Sequence, residues 1–111
     1  MKNKIIEKPW GSEELIELNS KYCLKKLFMK KGHRCSLQYH EKKVETIYVL
    51  EGILTIEVNK KTINLKPNES ITISVGDVHR MSAVNSDAYY LESSTPELED
   101  VIRIEDDFGR N

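Results

Sequence analysis

Residues 32–52 read GHRCSLQYHEKKVETIYVLEG, and this stretch alternates apolar and polar side chains on both sides of a charged break at residues 41–43. Alternation with a period of two predicts two strands joined by a chain reversal. Residues two apart on a strand share a face, so Gln38 and His40 should point the same way. Glu45 has the parity of the apolar residues that follow it, which predicts a carboxylate on the apolar side of the second strand.

The same alternation continues on both sides of this stretch and predicts an all-β fold. Ile71 and Ile73 alternate with Thr72 and Ser74, for example, whereas helical periodicity is hard to find. Short strands at even spacing, separated by turn residues, are typical of antiparallel sandwiches and barrels. We predict one small antiparallel β-barrel of jelly-roll type with little helix. Its strands are predicted at about residues 12–18, 22–30, 35–40, 44–50, 53–58, 61–66, 70–75, 79–84 and 87–93.

Length and composition predict a single domain. The chain has 111 residues, and its 39% hydrophobic content is enough to close one core. Seventeen Lys and Arg residues against 18 Asp and Glu residues give a net charge of -1, which argues against nucleic acid as a partner. The sequence contains no apolar run typical of a secretory signal or a membrane span. We expect no membrane partner and a cytoplasmic location, with Cys23 and Cys35 as reduced thiols in the core.

His79 adds a second candidate ligand region to the first. It begins another predicted strand with the parity of Met81 and Ala83, so it should also face inward. A glutamine oxygen, two histidine nitrogens and a glutamate oxygen inside one barrel suit a divalent zinc, manganese, iron or nickel ion. The alternative is that both histidines are satisfied polar groups near a core and that Glu45 pairs with a lysine. His33, beside Gly32, is interpreted as a turn residue.

Most of the lysine pairs are predicted to be solvated turn or edge charges. These pairs are Lys25 with Lys26, Lys30 with Lys31, Lys42 with Lys43, and Lys60 with Lys61. Lys25 is the exception, because it has the parity of Cys23 and Leu27 on a strand that would line the barrel. Trp10 is interpreted as a plug at one end of the barrel.

The spacing of the candidate ligands resembles the two cupin motifs. Residues Gly32, Gln38, His40, Glu45 and Gly52 keep every interval of the first motif, with glutamine in place of its first histidine. The second motif keeps its spacing but differs at three identities; its counterparts here are Asn68, residues 74–76, His79 and a displaced Asn85.

Four segments look like the cupin domain of type II phosphomannose isomerases. They are residues 8–11, 36–40, 79–80 and 101–110, and the resemblance extends from about residue 7 to residue 110. The Gln-x-His form of the first motif is itself usual in that family. The chain departs from the family in residues 40–42, where a histidine run is reduced to one histidine, and at Phe108, which replaces a tyrosine. These departures affect the mouth of the site more than its ligands.

The resemblance implies a metal-dependent sugar-phosphate isomerase that interconverts mannose 6-phosphate and fructose 6-phosphate through a metal-stabilised enediolate. Its metal ligands would be Gln38, His40, Glu45 and His79, with zinc the first choice and manganese, iron, nickel or cobalt as alternatives. Lys25 also matches a family lysine.

Four basic residues are candidates for contact with the sugar phosphate. Lys25 and Arg80 are candidate catalytic residues, and both, with Arg103 and Arg110, are candidate substrate-binding residues, because guanidinium groups bind oxyanions bidentately. For each, a plain surface charge is the alternative. The expected organisation is one cupin domain over residues 1–111, with residues 96–111 packing on the barrel. We expect no nucleotidyltransferase domain of the kind that bifunctional family members carry, and a homodimer by analogy.

Three other functions stay open at this point. The chain could be a non-catalytic cupin that binds a metal or a sugar, since fold alone does not fix activity. It could be another cupin sugar isomerase or epimerase in polysaccharide precursor synthesis. Two histidines and one glutamate around open positions also suit an iron(II) protein that uses oxygen.

Overall fold

The computed structural model describes residues 1–110, and this part of the chain forms two antiparallel sheets without a helix. The all-β prediction is therefore confirmed. No helix suited to crossing a membrane occurs among the described residues. The strands are β1 Lys4–Lys8, β2 Gly11–Leu18, β3 Cys23–Met29, β4 His33–Arg34, β5 Leu37–Tyr39, β6 Glu45–Glu51, β7 Leu54–Val58, β8 Lys61–Leu65, β9 Ser70–Ile73, β10 His79–Ala83, β11 Ala88–Ser94 and β12 Ile102–Glu105.

The two sheets share the core between them. One has the strand order β1-β2-β3-β11-β6-β9, and the other has the order β12-β5-β10-β7-β8, with β4 also paired to β10. Alternate residues of β6 are fully or almost fully buried, as the period of two predicted. The core is built mainly from such inward-facing positions, among them Leu27, Met29, Ile47, Val49, Leu54, Ile56, Ile73, Met81 and Tyr90.

Three strands were not predicted from the sequence: the two-residue strand β4 and the edge strands β1 and β12. β1 has the sequence KIIEK, is mostly exposed and pairs only with β2. Such a strand carries too few apolar residues to show alternation. β12 lies in the acidic tail, where it pairs with β5. The tail therefore adds an edge strand to the second sheet.

The predicted strand at residues 35–40 is shortened to β5, Leu37–Tyr39, and a one-residue shift in register separates it from β4, His33–Arg34. Arg34 pairs with Ser82, whereas Gln38 pairs with His79. The segment from β4 to β5 therefore advances by four residues while β10 advances by three. The extra residue bends the strand and changes which side chains face inward. Gln38 is thereby placed directly opposite His79 at the end of the barrel that holds the candidate ligands.

Candidate metal centre

Three buried side chains from separate strands meet at one point inside the barrel. His40 directly follows β5, Glu45 begins β6 and His79 begins β10. Both imidazole Nε2 atoms face the same Glu45 carboxylate oxygen, Oε1, at 3.2 Å from His40 and 3.0 Å from His79. One ligand atom from each residue lies within 4.8 Å of the others. We call these three residues the triad.

Backbone carbonyl groups fix the orientation of both imidazole rings. His40 Nδ1 donates to the carbonyl oxygen of Asp100, and His79 Nδ1 donates to that of Asp77 at 2.8 Å. A carbonyl oxygen only accepts hydrogen bonds, so each Nδ1 carries the proton. Each Nε2 of a neutral ring then presents a lone pair to the centre of the triad. Metal-binding histidines usually have this arrangement.

The triad fits a divalent cation. Two nitrogen lone pairs and a carboxylate oxygen repel one another unless a proton or a metal ion lies among them. Burial by itself raises the pKa of Glu45. Without a metal ion, a further proton on the Nε2 of His40 or His79 would donate a hydrogen bond to Glu45, and these bonds, with the charge of Lys43, outweigh burial and hold the pKa of Glu45 well below its usual range. A mixed set of two imidazoles and one carboxylate suits zinc, manganese or iron.

Asp100 connects the C-terminal segment to the triad. Its carboxylate accepts hydrogen bonds from three successive backbone N–H groups, those of Glu41, Lys42 and Lys43, at 2.7–3.1 Å. These bonds, led by the one from Lys42, lower the pKa of Asp100. Because its carbonyl also orients His40, Asp100 holds both the ligand and the loop that follows it.

Gln38 lies beside the triad and lines a neighbouring cavity. It is opposite His79 in the strand register, and its Oε1 accepts a hydrogen bond from Ser36 Oγ at 2.8 Å. Its role as a fourth metal ligand stays a prediction.

A cavity of about 120 Å³ opens between the sheets. Its lining includes Gln38 and Lys43, which adjoin the triad, but none of the three triad residues. Trp10 is 5% exposed and forms part of its wall, with Leu27, Met81 and Tyr90. Its charged lining residues are Lys8, Glu13, Lys25, Lys43, Glu92, Arg103 and Arg110. Five cationic groups thus face two acidic ones, which favours a negatively charged ligand.

The prediction that Lys43 is a solvated turn charge is wrong. Lys43 is only 4% exposed, and its Nζ lies 3.5 Å from Glu45 Oε2 and 3.7 Å from Glu92 Oε2. The two carboxyl groups compensate for its desolvation. Lys43 precedes β6 by two residues, and extending the alternation of that strand by one step beyond its start would have placed Lys43 inside the barrel.

Glu92 is a site residue that the sequence interpretation missed. It lies on β11 with the inward parity of Ala88 and Tyr90 and is 6% exposed. Burial and the neighbouring charge of Glu45 raise the pKa of Glu92 to about 8, although Lys43 opposes this. The alternation along β11 could have identified its inward direction, but not its neighbours.

The four predicted basic residues separate into two groups. Lys25, Arg103 and Arg110 line the cavity. Lys25 Nζ lies 3.2 Å from Glu13 Oε2, and Arg110 forms a double hydrogen bond with Asp106.

Arg80 lies outside the set of cavity-lining residues in the described part of the chain. It is buried, and its Nε donates to the Cys35 carbonyl oxygen at 2.9 Å. Its Nη2 and Nη1 reach the carbonyl oxygen and carboxylate of Glu105 on β12, at 3.3 and 3.5 Å. Arg80 therefore connects β10 to the C-terminal strand in this structure, and its catalytic role stays a prediction.

The sequence of this chain matches a known protein family. A family model described as mannose-6-phosphate isomerase C-terminal matches residues 1–106. The alginate biosynthesis protein AlgA of Pseudomonas aeruginosa is 30% identical over 115 residues, covering 95% of this chain and 23% of that protein. The mannose-1-phosphate guanylyltransferase ManC of Salmonella typhimurium is 31% identical over 109 residues, with the same coverage. The chain thus spans about a quarter of the length of these relatives.

A solved structure shows the fold independently. A cupin-2 domain protein from Rhodospirillum rubrum superposes with a TM-score of 0.83 at 12% identity, covering 93% of this chain and 76% of that one. At this identity the likeness concerns the fold alone, and the fold is that of a cupin.

Proposed function

The chain belongs to the mannose-6-phosphate isomerase C-terminal family, and on that premise we propose that it is a metal-dependent sugar-phosphate isomerase. Its proposed reaction interconverts mannose 6-phosphate and fructose 6-phosphate. The observation that carries this proposal is the buried triad beside a cavity with a cationic lining.

The triad and Gln38 would hold the metal ion. His40, Glu45 and His79 provide three ligand atoms, and Gln38 lies opposite His79 and lines the cavity. A bound divalent ion supplies a Lewis acid that polarises the sugar carbonyl. We propose zinc first, because two imidazoles and a carboxylate are a common zinc set, with manganese, iron, nickel and cobalt as alternatives.

The chain's own residues would bind the sugar phosphate and exclude water. The apolar wall of Trp10 and Leu27 reduces the water in contact with the reacting carbons. The isomerisation moves one proton between C2 and C1 and another between the two oxygens, with no net oxidation. Of the two candidate catalytic residues, Lys25 faces the cavity, and we propose that its ammonium group donates to a sugar oxygen there.

Proton exchange at C2 tests this proposal. Protein loaded with zinc, manganese or cobalt is incubated with mannose 6-phosphate in deuterated water, and we expect deuterium at C2 and the appearance of fructose 6-phosphate. Glu45→Gln should abolish both, because it removes a charged ligand of the triad. Glu51→Gln, an exposed position on the same strand, is the matched control and should leave both unchanged.

Each of the other outcomes contradicts the proposal in a different way. Binding of mannose 6-phosphate without exchange under any metal would identify a binding protein. Exchange with other sugars alone would identify a related isomerase or epimerase. Oxygen uptake with the iron(II) form would identify an oxygen-using enzyme.

A further inference from the structure

Two buried hydrogen-bonding groups that face the cavity have no partner. The Tyr90 hydroxyl lies on a side chain that is 0% exposed, and Arg103 Nε is also buried; neither has a hydrogen-bond partner within the described chain. Both residues line the same cavity. A buried polar group without a partner costs stability, and such groups are rare in folded proteins. A ligand in this cavity would supply acceptors to both groups at once.

Most of the other charged groups of the cavity already have partners. Lys25 pairs with Glu13, and Lys43 lies between Glu45 and Glu92. Arg110 pairs with Asp106. These pairs reduce the charge that each group can offer to a ligand.

Arg103 and Lys8 remain without an ion-pair partner in residues 1–110, although both face the cavity. A guanidinium and an ammonium group are donors only. The phenol hydroxyl of Tyr90 adds a neutral donor, because burial raises its pKa well above the usual range. Three donors, two of them cationic, match a group with several acceptor oxygens and a negative charge.

Tyr90 is connected to the triad through two neighbouring side chains, Glu92 and Lys43. It faces inward on β11 two residues before Glu92, whose Lys43 partner contacts the triad residue Glu45. Two residues of a strand span roughly 7 Å. Gln38, Lys43 and Tyr90 all line the cavity, so a ligand in it would lie between Tyr90 and side chains that adjoin the triad.

We propose that Tyr90 and Arg103, with Lys8 beside them, form the subsite that binds the phosphate group of the ligand. The assignment rests on the proposed function for the class of ligand, a phosphorylated sugar. In this subsite the neutral hydroxyl group of Tyr90 helps the protein to bind a sugar phosphate in preference to the free sugar.

Tyr90→Phe tests the subsite because it removes one oxygen and keeps the ring. Binding of mannose 6-phosphate, inorganic phosphate and mannose is measured by calorimetry on zinc-loaded protein, and Tm is measured without ligand. We expect affinity for the two phosphate compounds to fall roughly 10- to 100-fold, with mannose unaffected. Tm should stay the same or rise, since the hydroxyl has no partner in the free protein. Arg103→Lys keeps the charge but removes Nε, and it should weaken phosphate binding in the same direction.

Matched controls come from the same elements. Tyr89→Phe changes the adjacent tyrosine, whose ring packs on Phe28 with the centroids 4.9 Å apart, away from the cavity. Arg34→Lys changes an exposed arginine that pairs with Asp107. Both variants should bind mannose 6-phosphate like the unchanged protein.

The outcomes separate this proposal from the proposed function. Unchanged phosphate affinity in Tyr90→Phe overturns the subsite, as does an affinity loss accompanied by a fall in Tm. Wild-type protein that binds mannose 6-phosphate no more tightly than mannose also overturns it. Protein that binds mannose 6-phosphate through Tyr90 without isomerising it supports the subsite and contradicts only the isomerase. Isomerisation with an unchanged KM in Tyr90→Phe contradicts only the subsite.

Discussion

Glu92 should make the metal-free protein lose stability as the pH rises from about 4.5 to about 8. In the unfolded chain its carboxyl group releases a proton near the ordinary pKa of 4.5, whereas in the folded protein the pKa is about 8. Between these values the folded protein binds one more proton than the unfolded chain. Each increase in pH across this range therefore favours unfolding.

The size of the effect follows from the two pKa values. A tenfold change in proton affinity corresponds to about 1.36 kcal/mol, so the stability lost across the range is roughly 4–5 kcal/mol. Lys43 does not change its charge within this range, because Glu92 and Glu45 raise its pKa above the ordinary 10.5 against the opposing effect of burial.

Glu92→Gln isolates this contribution, because glutamine has nearly the same shape and no titrating proton. Urea denaturation in the presence of EDTA at pH 5, 6.5 and 8 gives the free energy of unfolding of both proteins. The free energy of unfolding of the variant should increase relative to that of the wild type as the pH rises.

Glu51→Gln provides the control for an exposed carboxyl group. Its free energy of unfolding should run parallel to that of the wild type at all three pH values. If the Glu92→Gln curve also runs parallel to the wild type, Glu92 is not held protonated by burial, and the electrostatic interpretation of the site is wrong.

Three further changes have defined outcomes. Gly52→Ala should lower the free energy of unfolding by more than about 2 kcal/mol, because its φ is +75° and a Cβ would lie 2.0 Å from a backbone oxygen. Gly76→Ala, where φ is +82° and the space around the residue is open, should lower it by less. Urea denaturation measures both. Asp100→Ala should weaken zinc affinity roughly 10- to 100-fold in a competition titration, because it frees the loop that follows His40. Free zinc at 100 times its Kd should stabilise the metal-free protein by about 2.7 kcal/mol, which is measured as a rise in Tm.

The fold and the inward direction of the triad side chains were predictable because both depend on local sequence. Alternation with a period of two gave the strands that have one buried face, and the edge strands β1 and β12 lacked that signal. His40 and Glu45 are close in the sequence and flank one reversal. Their inward direction follows from strand parity alone.

Arg80 shows where proximity in the sequence misleads. It is adjacent to His79, and for that reason it was a candidate catalytic residue. Neighbours on a strand point to opposite faces, and the Arg80 guanidinium contacts the Cys35 carbonyl and Glu105. Its adjacency to a ligand therefore did not determine its contacts.

The sequence by itself determined that the chain is an antiparallel barrel with histidine and glutamate side chains directed into it, because side-chain direction on a strand is a local property. Only the tertiary structure decided which distant residues join them. β11 lies between β3 and β6, and this pairing brings Tyr90 and Glu92 into the cavity. Strand order depends on contacts between residues far apart in the sequence, and a local pattern does not encode those contacts.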